Sequence, residues 1–368
     1  MDETIDPVAL RADIRRVFDN ESPPRAVLRH CEESEGKLER LWKIAGSLGW
    51  LALSLPERCG GLNLGLDSLV VLYEEAGRAL APIPLLPTLL AAEVIARNGS
   101  DAQRERWLGV IASAEVSAAV STPQPLGPVT VRVLEDGGSI FLTGTAEGVL
   151  DGADADLVLI LAAGPDGTPT RIAVEPHADG VEVVRNVTWD RTRSLATMTF
   201  AGTRLSADRL LPVSGASEEA LASHAALGIA ADAIGGSEAI LAATIDYMKA
   251  RQQFGRAIGS FQALKHRVAN HKVALVADTA LVASAASLAA RGDGLAEAEV
   301  AGAKAQACSN YVELSRDAIQ LHGGVGFTAE IACHLYLKRA RLNEALFGSA
   351  SWHLGRITRH IMGKGFTA

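Results

Sequence analysis

The feature that most restricts the fold is a change of texture in the middle of the chain. Short β-branched runs occupy Val129–Val133, Leu157–Leu161, Val181–Val184 and Thr197–Phe200, separated by Gly, Asp and Pro turns such as Asp136-Gly137-Gly138. Runs of that length, punctuated at close intervals, predict a compact antiparallel sheet or barrel. Before them, leucine and alanine recur at helical spacing, as in Leu38, Leu41, Trp42 and Ala45, with Pro56 and Gly60-Gly61 as breaks. After them the chain is alanine-rich and predicts long helices over Ala222–Arg251, Phe261–Arg291 and Leu295–Leu321, the last with Asp293 as a candidate cap. A fourth helix is expected from about Thr328 towards Gly363, with Gly348 a candidate break. The chain is therefore expected to be a multidomain α+β protein. Residues 1–114 form an all-α domain, 115–212 a central antiparallel β-barrel-like domain, and 213–368 a four-helix bundle.

Composition removes several classes of function. A net charge of -8 without a clustered basic face excludes phosphate-neutralising contact with nucleic acid. Cys31, Cys59, Cys308 and Cys333 are too scattered for a zinc site or a disulfide framework. The acidic start, with Asp2, Glu3 and Asp6, lacks the basic flank of a secretory signal, and cytoplasmic localisation is expected. The most apolar region, about Leu80 to Ile95, carries Pro82, Pro84 and Pro87 and is a poor membrane span. The broad apolar faces of the later helices exceed what one bundle must bury, which points to an oligomer.

Two segments of the carboxy-terminal region carry the chemistry. One holds Arg251, Phe254, Gly255 and Gln262; the other holds Gln320, Gly323, Gly324 and Phe327. Arg251 and Phe254, three apart at a helix end, are expected on one face. A guanidinium fork suits a pyrophosphate, and an aromatic ring suits an adenine. Read without a cofactor, Arg251 caps a helix and Gly323-Gly324 turns between two helices. Together with Leu48, Gly49 and Trp50 followed by Pro56, Glu57, Gly60 and Gly61, these segments resemble the acyl-CoA dehydrogenases over nearly the whole chain. The resemblance implies FAD as cofactor. It also implies that Arg251, Phe254, Gln262, Gln320, Gly323 and Gly324 contact FAD across a subunit interface.

The same resemblance shows what this chain lacks. Family members abstract an α proton with a glutamate while the β hydrogen leaves as hydride. At one of the two family positions for that base the chain reads Ala345, Leu346, Phe347, Gly348 and Ser349; at the other it has Ala225 or a close neighbour. The flavin-side motif of the β domain is replaced by Thr122 to Val129, and the tryptophan-containing motif by about Gly148, Val149 and Leu150. Asp232, Glu238 and Glu344 are the candidates for a displaced base, each with an ordinary structural role as the alternative. Asp190–Arg193 resembles a β-domain segment of the family and is equally readable as a turn.

The pattern resembles most the glutamate-lacking subunit of α2β2 heteromeric acyl-CoA dehydrogenases of actinobacteria. The partners this implies are a sister subunit carrying the glutamate, an acyl-CoA substrate of bulky or steroid side-chain type, and an electron-transfer flavoprotein. Two alternatives remain open at this point. One is a self-sufficient homo-oligomeric dehydrogenase with a displaced carboxylate; the other is a non-redox structural or CoA-binding homologue.

Overall fold

The structure is a computed structural model and describes residues 6–34, 36–121, 129–164 and 166–363. In chain order, α1 (Pro7–Glu21), α2 (Pro24–Glu33), α3 (Glu39–Ser47), α4 (Leu66–Arg78), α5 (Leu85–Asn98) and α6 (Asp101–Ala112) come first. Eight strands follow: β1 (Ala118–Val120), β2 (Arg132–Asp136), β3 (Ser139–Leu150), β4 (Leu157–Ala163), β5 (Pro169–Val174), β6 (Val181–Asn186), β7 (Leu195–Ser206) and β8 (Leu210–Pro212). Then come α7 (Gly215–Ala250), a short hairpin of β9 (Gln252–Gln253) and β10 (Arg256–Ala257), α8 (Gln262–Ala290), α9 (Ala296–His322), α10 (Cys333–Ala345) and α11 (Ala350–Gly363).

These elements gather into two compact units. One comprises residues up to Ser34, Leu66–Ala81 and Ala226 onward; the other comprises Glu35–Gly65 and Pro82–Ala225. In the second unit, the sheet runs in the order β6-β7-β3-β2-β4-β5-β8, with β1 beside β4. The expectation of purely antiparallel pairing is corrected here: β1 pairs with β4 in parallel, Ala118 opposite Leu157 and Val120 opposite Leu159. The reason is connectivity, because β1 arrives directly from α6 while β2 and β3 intervene in the chain before β4, so no hairpin can join the pair. On its other side β1 is satisfied by Thr88 of α5, whose hydroxyl donates to the Ala118 carbonyl at 2.9 Å and accepts from its N–H at 3.1 Å. Val133, Ile140, Leu142, Ile160, Ile172, Met198 and Phe200 build the core against one face. Two irregularities of register in the β3–β7 ladder, at Leu142/Thr143 and Ala146/Val149, bend those long strands.

Local chemistry sets the helix starts. Asp6 caps α1, its carboxylate accepting from the Val8 N–H at 2.9 Å with Pro7 at the first position. Ser100 and Gln103 form a capping box at α6, and the Gln103 amide also donates to the carbonyls of Asp208 and Leu210. From Leu85 on, the apolar run Leu80–Ile95 belongs to the buried helix α5, with Pro87 in its first turn where a missing N–H costs nothing. Asp293 is not the cap expected for α9: that helix begins after Leu295, and Asp293 accepts from the Leu295 N–H two residues on.

In the first unit α9 is the central helix, packed against α8, α10 and α11. The expected fourth helix of the bundle is two helices, broken at Leu346–Ser349, where Phe347 and Gly348 have φ of 54° and 109°. Helices α4 and α7 cross at backbone contact. A Cβ at Gly235 would lie 1.7 Å from the Glu74 carbonyl oxygen, and one at Gly77 would lie 2.2 Å from that of Asp232. Only glycine permits that approach.

Among the described residues, two helices are long and apolar enough to cross a membrane by length and composition, and they differ in burial. The apolar window of α7 is 83% buried inside the protein, that of α8 only 28%. α7 is thus a core helix, whereas α8 leaves Val273 and Val276 exposed.

Candidate active site

Helix α7 stops at Ala250, and Arg251 and Phe254 lie on the hairpin that follows. The expectation that they share a helical face is corrected. Phe254 and Gly255 both take left-handed φ, 51° and 77°, which turns β9 directly into β10. Left-handed φ is uncommon for an aromatic residue. This one is 91% exposed and meets the Phe261 ring in an edge geometry, with centroids 6.2 Å apart; the Arg256 guanidinium covers the Phe261 ring at 4.0 Å. Arg251 is exposed beside it. The hairpin therefore offers a cation and a flat ring to whatever approaches.

Gln262 opens α8 and is exposed; Gln320 is exposed one turn before the end of α9. Gly323 terminates α9 at φ 65° and ψ -145°, a conformation of glycine, and Gly324 has open space where a Cβ would stand. So the glycine pair does turn the chain, and it also leaves room for close approach. The two segments are tied together. Tyr247, one turn before Arg251, stacks on His322 with ring centroids 4.5 Å apart and donates to the His322 carbonyl at 3.0 Å.

A depression of about 420 Å³ contains Gln320 and Phe327 together with Arg267, Arg316 and Asp317. Arg267 makes a two-pronged pair with Asp317, which also takes a bond from His271 at 2.9 Å. Burial alone would raise the Asp317 carboxyl; Arg267 and His271 outweigh it and hold the group below the usual carboxylate range. Arg267 and Arg316 were not singled out by the sequence. Arg316 lies four before Gln320, a helical spacing that was the available signal for it; Arg267, five after Gln262, had none.

The three candidate carboxylates sit in ion pairs. Asp232 is buried, 3.2 Å from an Arg339 Nη and bonded at 2.7 Å by the Asn343 amide. Glu238 lies 3.3 Å from Arg15, and Glu344 pairs with Arg341 at 2.9 Å. Ala225 is buried on α7.

The turn after α10 is held from below. Buried Lys304 donates to the carbonyls of Glu344 and Gly348, and buried His353 donates through Nε2 to the Phe347 carbonyl at 3.1 Å. Burial pushes the Lys304 ammonium down. Burial first, then the charges of Lys304 and Arg356, pushes His353 down to about 4, so its ring is neutral near pH 7.

In the second unit, Asp190 accepts from the N–H of Thr192 at 2.8 Å, the turn reading of that segment. Val149 and Leu150 are buried at the end of β3, and Thr122–Pro128 lies outside the described residues.

Comparison with known proteins places this geometry. Residues 5–115 match "Acyl-CoA dehydrogenase, N-terminal domain" and residues 216–362 match "Acyl-CoA dehydrogenase, C-terminal domain". Acyl-CoA dehydrogenase IpdE2 of Mycobacterium tuberculosis is 32% identical over 353 residues, covering 96% of each chain. Among solved structures, a variant of the Tcur3481-Tcur3483 steroid ACAD superposes with TM-score 0.87 at 30% identity, covering 97% of this chain and 98% of that one. The ChsE4-ChsE5 complex from Mycobacterium tuberculosis superposes with TM-score 0.90 at 27% identity, covering 98% and 99%. With both terminal domains matched and a relative aligned almost end to end, the chain belongs to the acyl-CoA dehydrogenase family of oxidoreductases.

Proposed function

We propose that this protein is one subunit of a heteromeric FAD-dependent acyl-CoA dehydrogenase, completing a cofactor site on a sister subunit that carries the catalytic glutamate. The observation that carries this reading is the outward-facing Arg251–Phe254 hairpin; it is joined by the phenylalanine, Phe347, that stands where the family resemblance puts the base. Arg251 would meet the pyrophosphate and Phe254 the adenine end of FAD. Gln262 and Gln320 would bond polar edges, while Gly323 and Gly324 would let the backbone approach. These groups fit such a ligand because they are exposed and lie on two segments tied through Tyr247 and His322. With FAD bound, the chemistry supplied is hydride acceptance during α,β-desaturation of a CoA thioester.

The apolar surface of α8 supports burial against another subunit, since a 28%-buried apolar window is a poor match to solvent. Asp232, Glu238 and Glu344 are already engaged by Arg339, Arg15 and Arg341, which argues against a displaced base. Relatives named for steroid substrates and for two-component complexes support a bulky acyl group and a sister subunit. Electron transfer to an electron-transfer flavoprotein is what the family resemblance implies, and the scattered cysteines and acidic start favour a cytoplasmic location.

The test is a visible absorption spectrum of the protein purified alone and co-purified with a sister subunit. Flavin bands that appear only with the partner, at about one cofactor per pair, support the proposal. A lone protein that is yellow and bleaches with an acyl-CoA would make it a complete enzyme; absence of flavin in both preparations would make it a non-redox homologue.

A further inference from the structure

A cleft of about 610 Å³ in the first unit is flanked by α1, α4, α7 and α10. Its volume is within the range of small-molecule sites. Small apolar residues such as Ala239, Ala242 and Ala243 form one wall. The charges at its mouth are already matched. Arg15 is bonded through two nitrogens to Glu75, and Arg78 reaches Glu75 at 2.7 Å and Asp19 at 2.6 Å. A free ion would compete with those pairs and gains little there.

The polar groups of the interior are also mostly committed. Tyr247 donates to the His322 carbonyl at 3.0 Å, and Tyr336 donates to the Arg78 carbonyl at 3.1 Å. Burial pushes the Cys333 thiol up to about 12, which keeps it neutral. His322 is different. Its Nδ1 lies 2.7 Å from the Ala318 carbonyl, which can only accept, so Nδ1 carries the proton. In the neutral ring Nε2 is then an acceptor. It makes no bond to the described residues, and His322 lines the cleft.

We propose that this cleft binds a compact, neutral, apolar molecule bearing a hydroxyl group, the hydroxyl donating to Nε2 of His322 while the hydrocarbon body lies against the alanine wall. The inference does not rest on the proposed function. It adds a site lined by His322, a residue that sits between Gln320 and Gly324 in sequence.

Fluorescence titration with 2-naphthol, at pH 8, tests it on the full chain and on the chain assembled with its sister subunit. Naphthalene is the control without a hydroxyl. One saturable site per chain is expected in both preparations. His322→Phe, which keeps a ring to stack on Tyr247, should weaken 2-naphthol about tenfold and leave naphthalene unchanged. Ala242→Trp, at an exposed position, should abolish binding of both compounds while circular dichroism stays native. Absence of saturable binding overturns the proposal, as does equal weakening of both compounds in His322→Phe. Loss of binding on assembly overturns it too, by showing that the partner fills the cleft.

Discussion

Two turns in this molecule share one local grammar and differ in everything else. At Phe254-Gly255 and at Phe347-Gly348 a phenylalanine at positive φ precedes a glycine at positive φ. Phe254 stands 91% exposed with its ring available. Phe347 is half-buried, and the carbonyls around it are gripped by Lys304 and His353. The difference teaches that an unfavourable backbone conformation can serve presentation in one place and fixation in another. In the first, the two-residue hairpin sets the conformation and leaves the ring outside, as the proposed cofactor contact requires. In the second, a buried ammonium replaces the water that would otherwise satisfy the carbonyls at the end of α10.

The comparison can be broken most directly at the clamp. Lys304→Met leaves two carbonyls without a donor and should lower stability by about 2–4 kcal/mol, read as a shifted urea midpoint with an unchanged slope. A shift under about 1 kcal/mol would mean that the turn holds itself.

Acid should unpick the same turn more gently. His353 has a folded-state pKa of about 4, depressed from 6.5, so the unfolded chain takes up its proton first as pH falls. Its contribution is complete above about pH 6.5 and is lost progressively towards pH 4, amounting to about 2–3 kcal/mol. His353→Gln should flatten that part of the stability–pH curve; an unaltered slope would assign the loss to other groups.

At the presenting turn, effects should fall on ligand and not on fold. Arg251→Ala should cut flavin retention in the assembled complex about tenfold, measured by absorbance after gel filtration, with an unchanged melting temperature. Full occupancy in that variant would remove Arg251 from the cofactor site. Phe254→Ala should have the smallest effect on stability, within about 0.5 kcal/mol, because the ring is exposed. It should still cost flavin, and a stability loss as large as that of Lys304→Met would erase the distinction between the turns.

The sequence reveals the elements whose side chains report their surroundings. Leu157–Leu161 reads as a strand because it is buried on both faces, and α8 and α9 are placed to within a residue or two by their alanine periodicity. It hides β3, where Gly144 and Gly148 look like turn residues but lie within a twelve-residue bulged strand. The parallel contact of β1 depends on chain routing, to which no local run of residues responds. In the candidate site the exposed glutamines and the glycine pair stand out by type. The hairpin does not, since Arg251 and Phe254 continue the helical spacing up to the residue where Gly255 permits a reversal. The grip of Lys304 is hidden for a different reason: its partners are backbone carbonyls 40 and 44 residues away, and every residue has one.

The glycine crossing of α4 and α7 also sets a clock. Gly77 and Gly235 are more than 150 residues apart, and each helix needs the other to cover its contact face. At a synthesis rate of about 5–20 residues per second, α4 leaves the ribosome roughly 8–30 s before its partner exists. During that interval Leu69, Val70, Leu72 and Tyr73, all buried in the finished protein, have no surface of α7 to meet. The nascent chain therefore carries that face of α4 without its partner helix until translation has passed the second glycine.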